Sequence, residues 1–236
     1  MSPVGDKEDP SAASLHGVNQ YWRALEPADM DRGDHRSMVG AMWEEVGQLQ
    51  FEFLRSEGLE PRHRLLDVGC GAMRGGVHFA RYLDRGNYFG LDANASLIEA
   101  GRRELDLAGL ADRDAQLIAD ANFDVARFDA RFDYAIAVSL VTHLYFNHIQ
   151  LCLARVAEHL EPGGRFYMTF FEAPAPAHFQ NLSHAGGEIT TSYLSDPYHQ
   201  SFDELATLGR RAGLHAHRIG EFGHPRGQNM ILFAAE

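Results

Sequence analysis

Lysine is almost absent from this chain: Lys7 is the only lysine in 236 residues. A P-loop nucleotide site, a protein-kinase site and a Schiff-base enzyme each depend on a lysine within the folded domain. Lys7 lies in a polar, acidic N-terminal stretch, so it is badly placed for any of these roles. The sequence therefore excludes the first two classes and argues against the third.

Cysteines and long apolar runs are also scarce. Cys70 and Cys152 are the only two cysteines, so they cannot build a disulfide framework, and they lack the spacing of metal ligands. No uninterrupted apolar run approaches the roughly 18 residues needed to span a membrane. Residues 1–14 contain no apolar core of a secretion signal. We therefore expect a cytoplasmic protein with no membrane partner.

Positive charge is in short supply as well, since the formal net charge is -12. A broad nucleic-acid surface needs basic stripes that neutralise phosphates. The arginine pairs at 102–103 and 210–211 are isolated, which is typical of solvated helix faces. We therefore expect no nucleic-acid partner. The length of the chain, by itself, fits one α/β domain with a full core.

The chain divides into three parts by composition. Residues 1–14 are polar and are predicted to form a disordered tail. Residues 15–60 are predicted to form an N-terminal helical cap, or substrate arm, whose main helix covers 38–57 and ends at Gly58. Residues 61–236 are predicted to form the main domain.

Strands and helices alternate through most of that domain. Five strands are predicted at 64–68, 87–92, 114–119, 132–138 and 165–171, and helices at 74–84, 95–108, 146–160 and 202–212. Two last strands, at 215–222 and 228–235, have only a short link between them. This order predicts an α/β fold with a seven-stranded, mostly parallel sheet, a C-terminal antiparallel hairpin and helices on both faces. The long connection at 173–201 is predicted to be a lid over the substrate.

Acidic residues follow three of the predicted strands. In open α/β sheets, ligands bind beyond the carboxyl ends of the strands. Asp67 precedes the glycine turn Gly69–Gly71, and Asp92 and Asp120 end the next two strands. The turn is not a dinucleotide fingerprint, because its third glycine would fall at Arg74. Asp67 would repel a pyrophosphate and attract a cation, so the pattern favours a nucleoside attached to a cation.

With these features the sequence closely resembles the class I S-adenosylmethionine-dependent methyltransferases. The matching motifs occur in the family's order: Asp67-x-Gly-Cys-Gly71, Asp92, Asp120-Ala121 and Leu160-x-Pro-Gly-Gly164. The resemblance implies a Rossmann-like fold and S-adenosylmethionine as the cofactor. One departure stands out, since Met73 occupies the position where the family commonly has a third glycine.

The resemblance also implies the residues that bind the cofactor. Asp67 would favour its positive charges, Asp92 would hold the ribose hydroxyls and Asp120 would accept from the adenine amino group. An alternative for Asp92 and Asp120 is that each caps the following structure, and Phe123 fits either the adenine face or the core. The full predicted set is Asp67, Gly69, Cys70, Gly71, Asp92, Ala93, Asp120, Ala121, Asn122 and Ser139.

Methyl transfer needs mainly positioning, and a base helps only when the acceptor must lose a proton. His143, just after the fourth strand, and Glu172, after the fifth, are the candidate catalytic groups. Each could instead be structural: a buried or capping histidine and an exposed strand-end acid. Candidate substrate-binding residues are Tyr21, Trp22, His178, Tyr193, Tyr198, His199 and Arg226. No metal is expected, because the histidines at 178, 184 and 199 lack ligand spacing.

The function expected from the sequence is transfer of a methyl group from S-adenosylmethionine to an oxygen or nitrogen of a small molecule. Two alternatives stay open at this point. One is methylation of a peptide or protein side chain, and the other is a non-catalytic regulatory protein that binds S-adenosylmethionine. The sequence leaves a monomer and a homodimer equally open.

Overall fold

The computed structural model describes Tyr21 and residues 23–235. The predicted tail over 1–14 and the candidate Trp22 lie outside the described residues. Within the described part, no helix is both long and apolar enough to cross a membrane.

Seven strands form one sheet, and two more form a separate hairpin. The strands of the sheet are β1 Leu65–Val68, β2 Tyr88–Asp92, β3 Gln116–Ala119, β4 Phe132–Ala137, β5 Leu160–Phe170, β8 His215–Glu221 and β9 Asn229–Ala234, and those of the hairpin are β6 Leu182–His184 and β7 Ile189–Thr191. The order in the sheet is β3-β2-β1-β4-β5-β9-β8. Strands β1 to β5 pair in parallel, and β9 runs antiparallel to both β5 and β8. The predicted fold class is therefore confirmed.

The strands carry apolar side chains on both faces, as expected for a sheet covered by helices on each side. Leu65 of β1 and Ile136 of β4 pack into one core, and Leu66 and Ala135 pack into the other. Successive side chains of a strand point to opposite faces, so each strand contributes to both cores. The α-helices are α1 Pro27–Arg32, α2 Asp34–Met38, α3 Trp43–Ser56, α4 Gly76–Tyr82, α5 Ala95–Leu107, α6 Phe146–Ala157 and α7 Phe202–Arg211.

The carboxyl ends of the parallel strands lie together at one edge of the sheet. Val68 of β1 pairs with Leu91 of β2, and Asp92 pairs with Ala119 of β3. Strand order reverses between β1 and β4, which opens a crevice at that edge. The acidic strand ends seen in the sequence are thus brought to one place.

The predicted helix at 38–57 is wrong at its start, because α3 begins only at Trp43. Gly40, Ala41 and Met42 all have left-handed backbone, with φ of 94°, 53° and 47°. A right-handed helix cannot continue through three such residues. The segment 38–42 therefore turns the chain, and Val39 comes to lie against Gly71.

Met73 takes the place of the expected third glycine and is itself left-handed, with φ of 73°. Its side chain is fully buried between α4 and α5. A Cβ added to Gly76 would lie 2.6 Å from the Met73 sulfur, and a Cβ added to Gly101 would lie 2.7 Å from the Met73 Cγ. The small residues are therefore Gly76 in α4 and Gly101 in α5, and the Met73 side chain fills the space between the two helices.

Gly101→Ala should lower the free energy of unfolding by about 1–3 kcal/mol, because its Cβ would overlap Met73. This loss outweighs the gain of about 1 kcal/mol that alanine has over glycine inside a helix. Urea denaturation measures it. Glu99→Ala, an exposed change on the same helix, should stay within about 0.5 kcal/mol of the parent.

Combining Gly101→Ala with Met73→Ala tests the cause, since the smaller side chain removes the overlap. The pair should cost less than the sum of the two single changes. Strict additivity would mean that Met73 is not what excludes a side chain at position 101.

Candidate active site

A pocket opens at the carboxyl ends of β1, β2 and β4, in the crevice where strand order reverses. Eight of the ten predicted cofactor residues line it: Asp67, Gly69, Cys70, Gly71, Asp92, Ala93, Asp120 and Ser139. Ala121 and Asn122 follow Asp120 on the same loop but do not form the wall. The candidates Tyr21 and His143 also line the pocket, on the side of β4.

Asp92 ties together the loops that follow β1 and β2. Its carboxylate accepts from the Gly71 backbone N–H at 2.9 Å and from the Asn94 backbone N–H at 2.8 Å. Burial raises the pKa of Asp92, and the two N–H donors oppose that rise. The N-cap of α5 is Asn94, whose side chain accepts from Ser96 N–H at 2.9 Å. Asp92 is therefore not the helix cap.

Because Gly71 has no side chain, the glycine turn packs directly against the N-terminal segment. Its backbone is left-handed, with φ of 54°, and an added Cβ would lie 2.9 Å from Val39 Cγ1. A side chain here would strain the backbone and collide with Val39. The turn and the segment 38–42 thus form adjoining walls of the pocket.

Asp67 is a buried acid in the pocket wall. Tyr88 donates its hydroxyl to the Asp67 carboxylate at 2.8 Å. Burial raises the pKa of Asp67 to about 7, with the Tyr88 hydrogen bond opposing and the Asp92 charge adding to the rise. A cation bound beside Asp67 would restore its ionised form.

Asp120 closes the loop after β3. One of its oxygens accepts from the backbone N–H groups of Asn122 at 2.8 Å and Asp124 at 3.0 Å, and Arg127 donates to the other at 3.3 Å. Phe123, on the same loop, is both a buried core residue and part of the pocket wall. The two interpretations of Phe123 are therefore compatible.

Ser139 is held from two sides at the end of β4. Its backbone N–H donates to Thr169 Oγ1 at 2.7 Å, and Gln228 Nε2 donates to its hydroxyl at 3.0 Å. The backbone of Ser139 is left-handed, with φ of 59°, which turns the chain toward His143. These contacts fix the pocket wall between Val138 and His143.

His143 and Asp196 form a hydrogen-bonded pair at the pocket. His143 donates from Nδ1 to the Asp196 carboxylate, and the ring of Tyr21 stands edge-on to the imidazole with centroids 4.7 Å apart. Asp196 belongs to the segment 173–201, which also contacts this loop where Tyr198 N–H donates to Thr142 O at 2.7 Å. The sequence did not single out Asp196 as a site residue.

Other candidates lie apart from the pocket wall. Glu172 pairs with Arg218 and accepts from Asn229 Nδ2 at 2.8 Å. Arg226 donates to Gly40 O at 2.8 Å. Their roles in catalysis and substrate binding stay predictions.

Two histidines of the segment 173–201 form hydrogen bonds with residues outside the pocket wall. His178 donates to Glu204 at 3.0 Å, and His199 donates to His178 O at 2.8 Å. Tyr193 packs on His178 with centroids 4.8 Å apart, and Tyr198 packs near Tyr145 at 5.6 Å. Within the described residues, no three His, Cys, Asp or Glu side chains are grouped to hold a metal ion.

Sequence reasoning missed several wall residues, including Val39, Gln50, Arg74 and Leu140. Val39 and Gln50 come from the N-terminal segment and α3, where apolar periodicity indicated only packing. Arg74 follows the glycine turn, yet no pattern assigned it a role. For Val39 and Gln50 the missing signal is spatial, because these side chains reach the pocket from elements distant in sequence. Arg74 and Leu140 adjoin predicted site residues, but no motif marks them.

A model of the family described as "Methyltransferase domain" matches residues 66–166, which run from β1 into β5. Those residues contain the glycine turn, both strand-end acids and the His143 loop. Over residues 66–166 the chain is therefore similar to methyltransferases, a match that covers less than half of its length. Three residues of the pocket wall, Tyr21, Val39 and Gln50, precede the matched region. Asp196, the hydrogen-bond partner of His143, follows it.

A curated relative of the methyltransferase domain is the fatty-acid O-methyltransferase of Mycolicibacterium smegmatis, 37% identical over 108 residues. The match covers 45% of this chain and 36% of that protein, so the chain matches only about a third of the relative's length.

Two solved structures share the fold along most of the chain. Magnesium protoporphyrin IX methyltransferase (ChlM) of Synechocystis, with bound S-adenosylmethionine, has a TM-score of 0.61 at 10% identity, covering 95% of this chain and 93% of its own. DesVI of Streptomyces venezuelae has a TM-score of 0.61 at 19% identity, covering 91% and 100%. At such identities these likenesses show the methyltransferase fold and nothing finer.

The buried acid makes a stability prediction. The pKa of Asp67 is raised to about 7 in the folded chain from an ordinary value of 3.8, so its favourable contribution is present at low pH and is lost as pH rises toward 7. Asp67→Asn removes this dependence while keeping an acceptor for Tyr88. The variant should gain about 3 kcal/mol over the parent between pH 5 and pH 8.

Urea denaturation of the ligand-free protein at the two pH values measures this difference. Glu99→Gln, an exposed change on α5, should show no such trend. An Asp67→Asn effect of equal size at both pH values would mean that Asp67 keeps an ordinary pKa.

Proposed function

We propose that this chain is an S-adenosylmethionine-dependent O-methyltransferase that acts on a hydroxyl group of a small molecule, with His143 as the general base. The observation that carries the proposal is that His143, in the pocket wall, is hydrogen-bonded to the carboxylate of Asp196 behind it. A positioned base is useful to a hydroxyl acceptor and unnecessary to a neutral amine.

The pocket fits the proposed cofactor on its charges and shape. Asp92 offers two carboxylate oxygens that already accept backbone N–H groups and have lone pairs left for ribose hydroxyls. Asp67 is a buried acid that a cation would stabilise in its ionised form. Gly69 and Gly71 place backbone in the pocket wall. When bound, S-adenosylmethionine supplies an electrophilic methyl group on its sulfonium.

The residues of the chain would then act in defined roles. Asp196 holds His143 through Nδ1, so the other ring nitrogen is the one that takes the acceptor's proton. Holding the ring also stabilises the imidazolium that results, because the carboxylate lies beside it. Tyr21, edge-on to the imidazole, limits water at that side of the pocket. Thr169 and Gln228 fix Ser139 and with it the path of the loop.

A second candidate acceptor is a carboxylic acid, which the fatty-acid O-methyltransferase relative favours. A carboxylate is already ionised near neutral pH and needs no base. The two acceptors therefore predict opposite effects of losing His143.

One experiment distinguishes the proposed function from peptide or protein methylation and from a non-catalytic regulatory role. Methyl transfer from labelled S-adenosylmethionine, screened against phenols, alcohols, fatty acids and peptides, tests the proposed function. Methyl transfer to peptides alone would show that the acceptor is a peptide or protein side chain and not a small molecule. Tight cofactor binding with no transfer to any acceptor would favour a regulatory protein.

Asp92→Asn should weaken S-adenosylmethionine binding by at least about 10-fold, because one of the two oxygens that accept hydrogen bonds becomes a donor. Isothermal titration calorimetry measures the change. Asp133→Asn is the matched control, since Asp133 also accepts a backbone N–H, from Arg64 at 2.8 Å, but on the amino-end side of β4. Unchanged affinity in Asp92→Asn would reject the ribose assignment.

His143→Ala should lower kcat on a hydroxyl acceptor by about 10²–10⁴-fold near neutral pH, with cofactor affinity unchanged. Activity should recover partly at high pH, where the acceptor ionises without help. Asp196→Asn should lower kcat less, because it leaves the base but loosens its orientation. A pH–rate profile measures these effects.

His217→Ala, on the exposed face of β8, is the control and should retain parental kcat. Parental kcat in His143→Ala across the pH range would contradict the hydroxyl-plus-base mechanism and would favour the carboxylic acid.

A further inference from the structure

Arg74 is a buried cation in the pocket wall. Its residue is only 9% exposed, and its Nη1 donates to Val39 O at 2.9 Å and to Ala41 O at 3.2 Å. Both partners are neutral backbone carbonyls. Among Tyr21 and residues 23–235, no carboxylate forms an ion pair with Arg74 within 4.0 Å. Arg74 thus has hydrogen bonds but no ion-paired carboxylate among these residues. Burial lowers its pKa to about 10, and the Asp67 charge opposes that fall without forming an ion pair.

A second arginine adds positive charge at the same place. Arg226 donates to Gly40 O at 2.8 Å, between the two carbonyls that Arg74 uses. A Cβ on Gly40 would lie 3.0 Å from Arg226 Nη1 and 3.7 Å from Arg74 Nη1. Two guanidinium groups therefore meet over one short loop.

The nearby His224 responds to that excess charge. The Arg226 backbone N–H donates to His224 Nδ1 at 3.1 Å, and His224 Nε2 is buried with no partner among the described residues. Burial, together with Arg74 and Arg226, lowers the pKa of His224 to about 4. His224 is therefore neutral at physiological pH, and the corner around Arg74 favours an anion.

Resting on the proposed function, the geometry points to Arg74 as the residue that binds the carboxylate at the amino-acid end of S-adenosylmethionine. Arg74 and Asp67 line one pocket on either side of the glycine turn, so the walls carry one cation and one anion. An α-amino acid group, with its carboxylate and ammonium, matches that pair of charges. The carboxylate is the only anion in the cofactor.

The same contact would link cofactor binding to the N-terminal segment. Arg74 holds the carbonyls of Val39 and Ala41, and Val39 lies against Gly71. A bound carboxylate would supply the missing counter-ion to Arg74 and so stabilise the guanidinium that holds the segment 38–42 over the pocket.

Calorimetric titration with S-adenosylmethionine and with decarboxylated S-adenosylmethionine tests the inference, since the two differ only in the carboxylate. The parent should bind the first about 10–100-fold more tightly, the range of a charge-assisted hydrogen bond. Arg74→Gln should remove this preference by weakening the first ligand and sparing the second. Arg74→Lys should keep part of the preference, which separates charge from loss of folding.

Arg226→Gln is the matched comparison, because Arg226 contacts the same loop and adds charge there without lining the pocket. It should keep most of the preference that Arg74→Gln removes. An equal loss for both ligands in Arg74→Gln would overturn the inference and assign Arg74 to loop structure. Failure of the parent to bind either ligand would instead reject the proposed function.

The carboxylate could also come from the acceptor, and a third titration separates the sources. Laurate is added to the protein saturated with S-adenosylhomocysteine, which already carries the amino-acid end. Laurate binding that depends on Arg74, with an unchanged preference between the two cofactor forms in Arg74→Gln, would overturn the assignment to the cofactor.

Discussion

The pocket depends first on the carboxylate of Asp92. Its two oxygens accept from the glycine turn after β1, at Gly71, and from the loop after β2, at Asn94. Parallel pairing of β1 and β2 brings the two loops near each other, but pairing ends with the strands. Beyond the strands, the Asp92 carboxylate holds the two loops together by accepting one backbone N–H from each. These N–H groups would otherwise be unpaired in a buried site. The N-cap of α5 and the turn beside Met73 are then held relative to each other.

The pocket wall holds an acid and a base that form no ion pair with each other, although the charge of each favours the ionised form of the other. Asp67 is buried with a tyrosine hydroxyl, and Arg74 is buried with backbone carbonyls. Each is costly on its own, because burial disfavours the ionised form of both an acid and a base. A ligand that carries both signs of charge removes both costs together. This arrangement supports the proposed contact between Arg74 and the amino-acid end of S-adenosylmethionine.

Two segments outside the alternating strands and helices complete the site. The segment 38–42 is tied down by Arg74 and Arg226, which come from opposite ends of the domain. The segment 173–201 brings Asp196 to His143, 53 residues earlier in the chain, and is anchored beside it through the Tyr198 N–H. The proposed base is thus oriented by the predicted lid. Any movement of that segment would change the orientation of His143 as well as access to the pocket.

Local patterns in the sequence determined the sheet, its parallel portion, the terminal hairpin and the edge where the ligand pocket lies. They could do so because strand and helix periods differ and parallel strands place their carboxyl ends together. The tertiary structure alone decided which side chains face one another across that edge. Glu172 ends a strand as expected, yet Arg218 on β8 pairs with it, because strand β9 brings β8 alongside. Arg74 and Val39 reach the pocket, and Asp196 reaches His143, from turns and loops. The paths of these segments follow from long-range hydrogen bonds that no local period records.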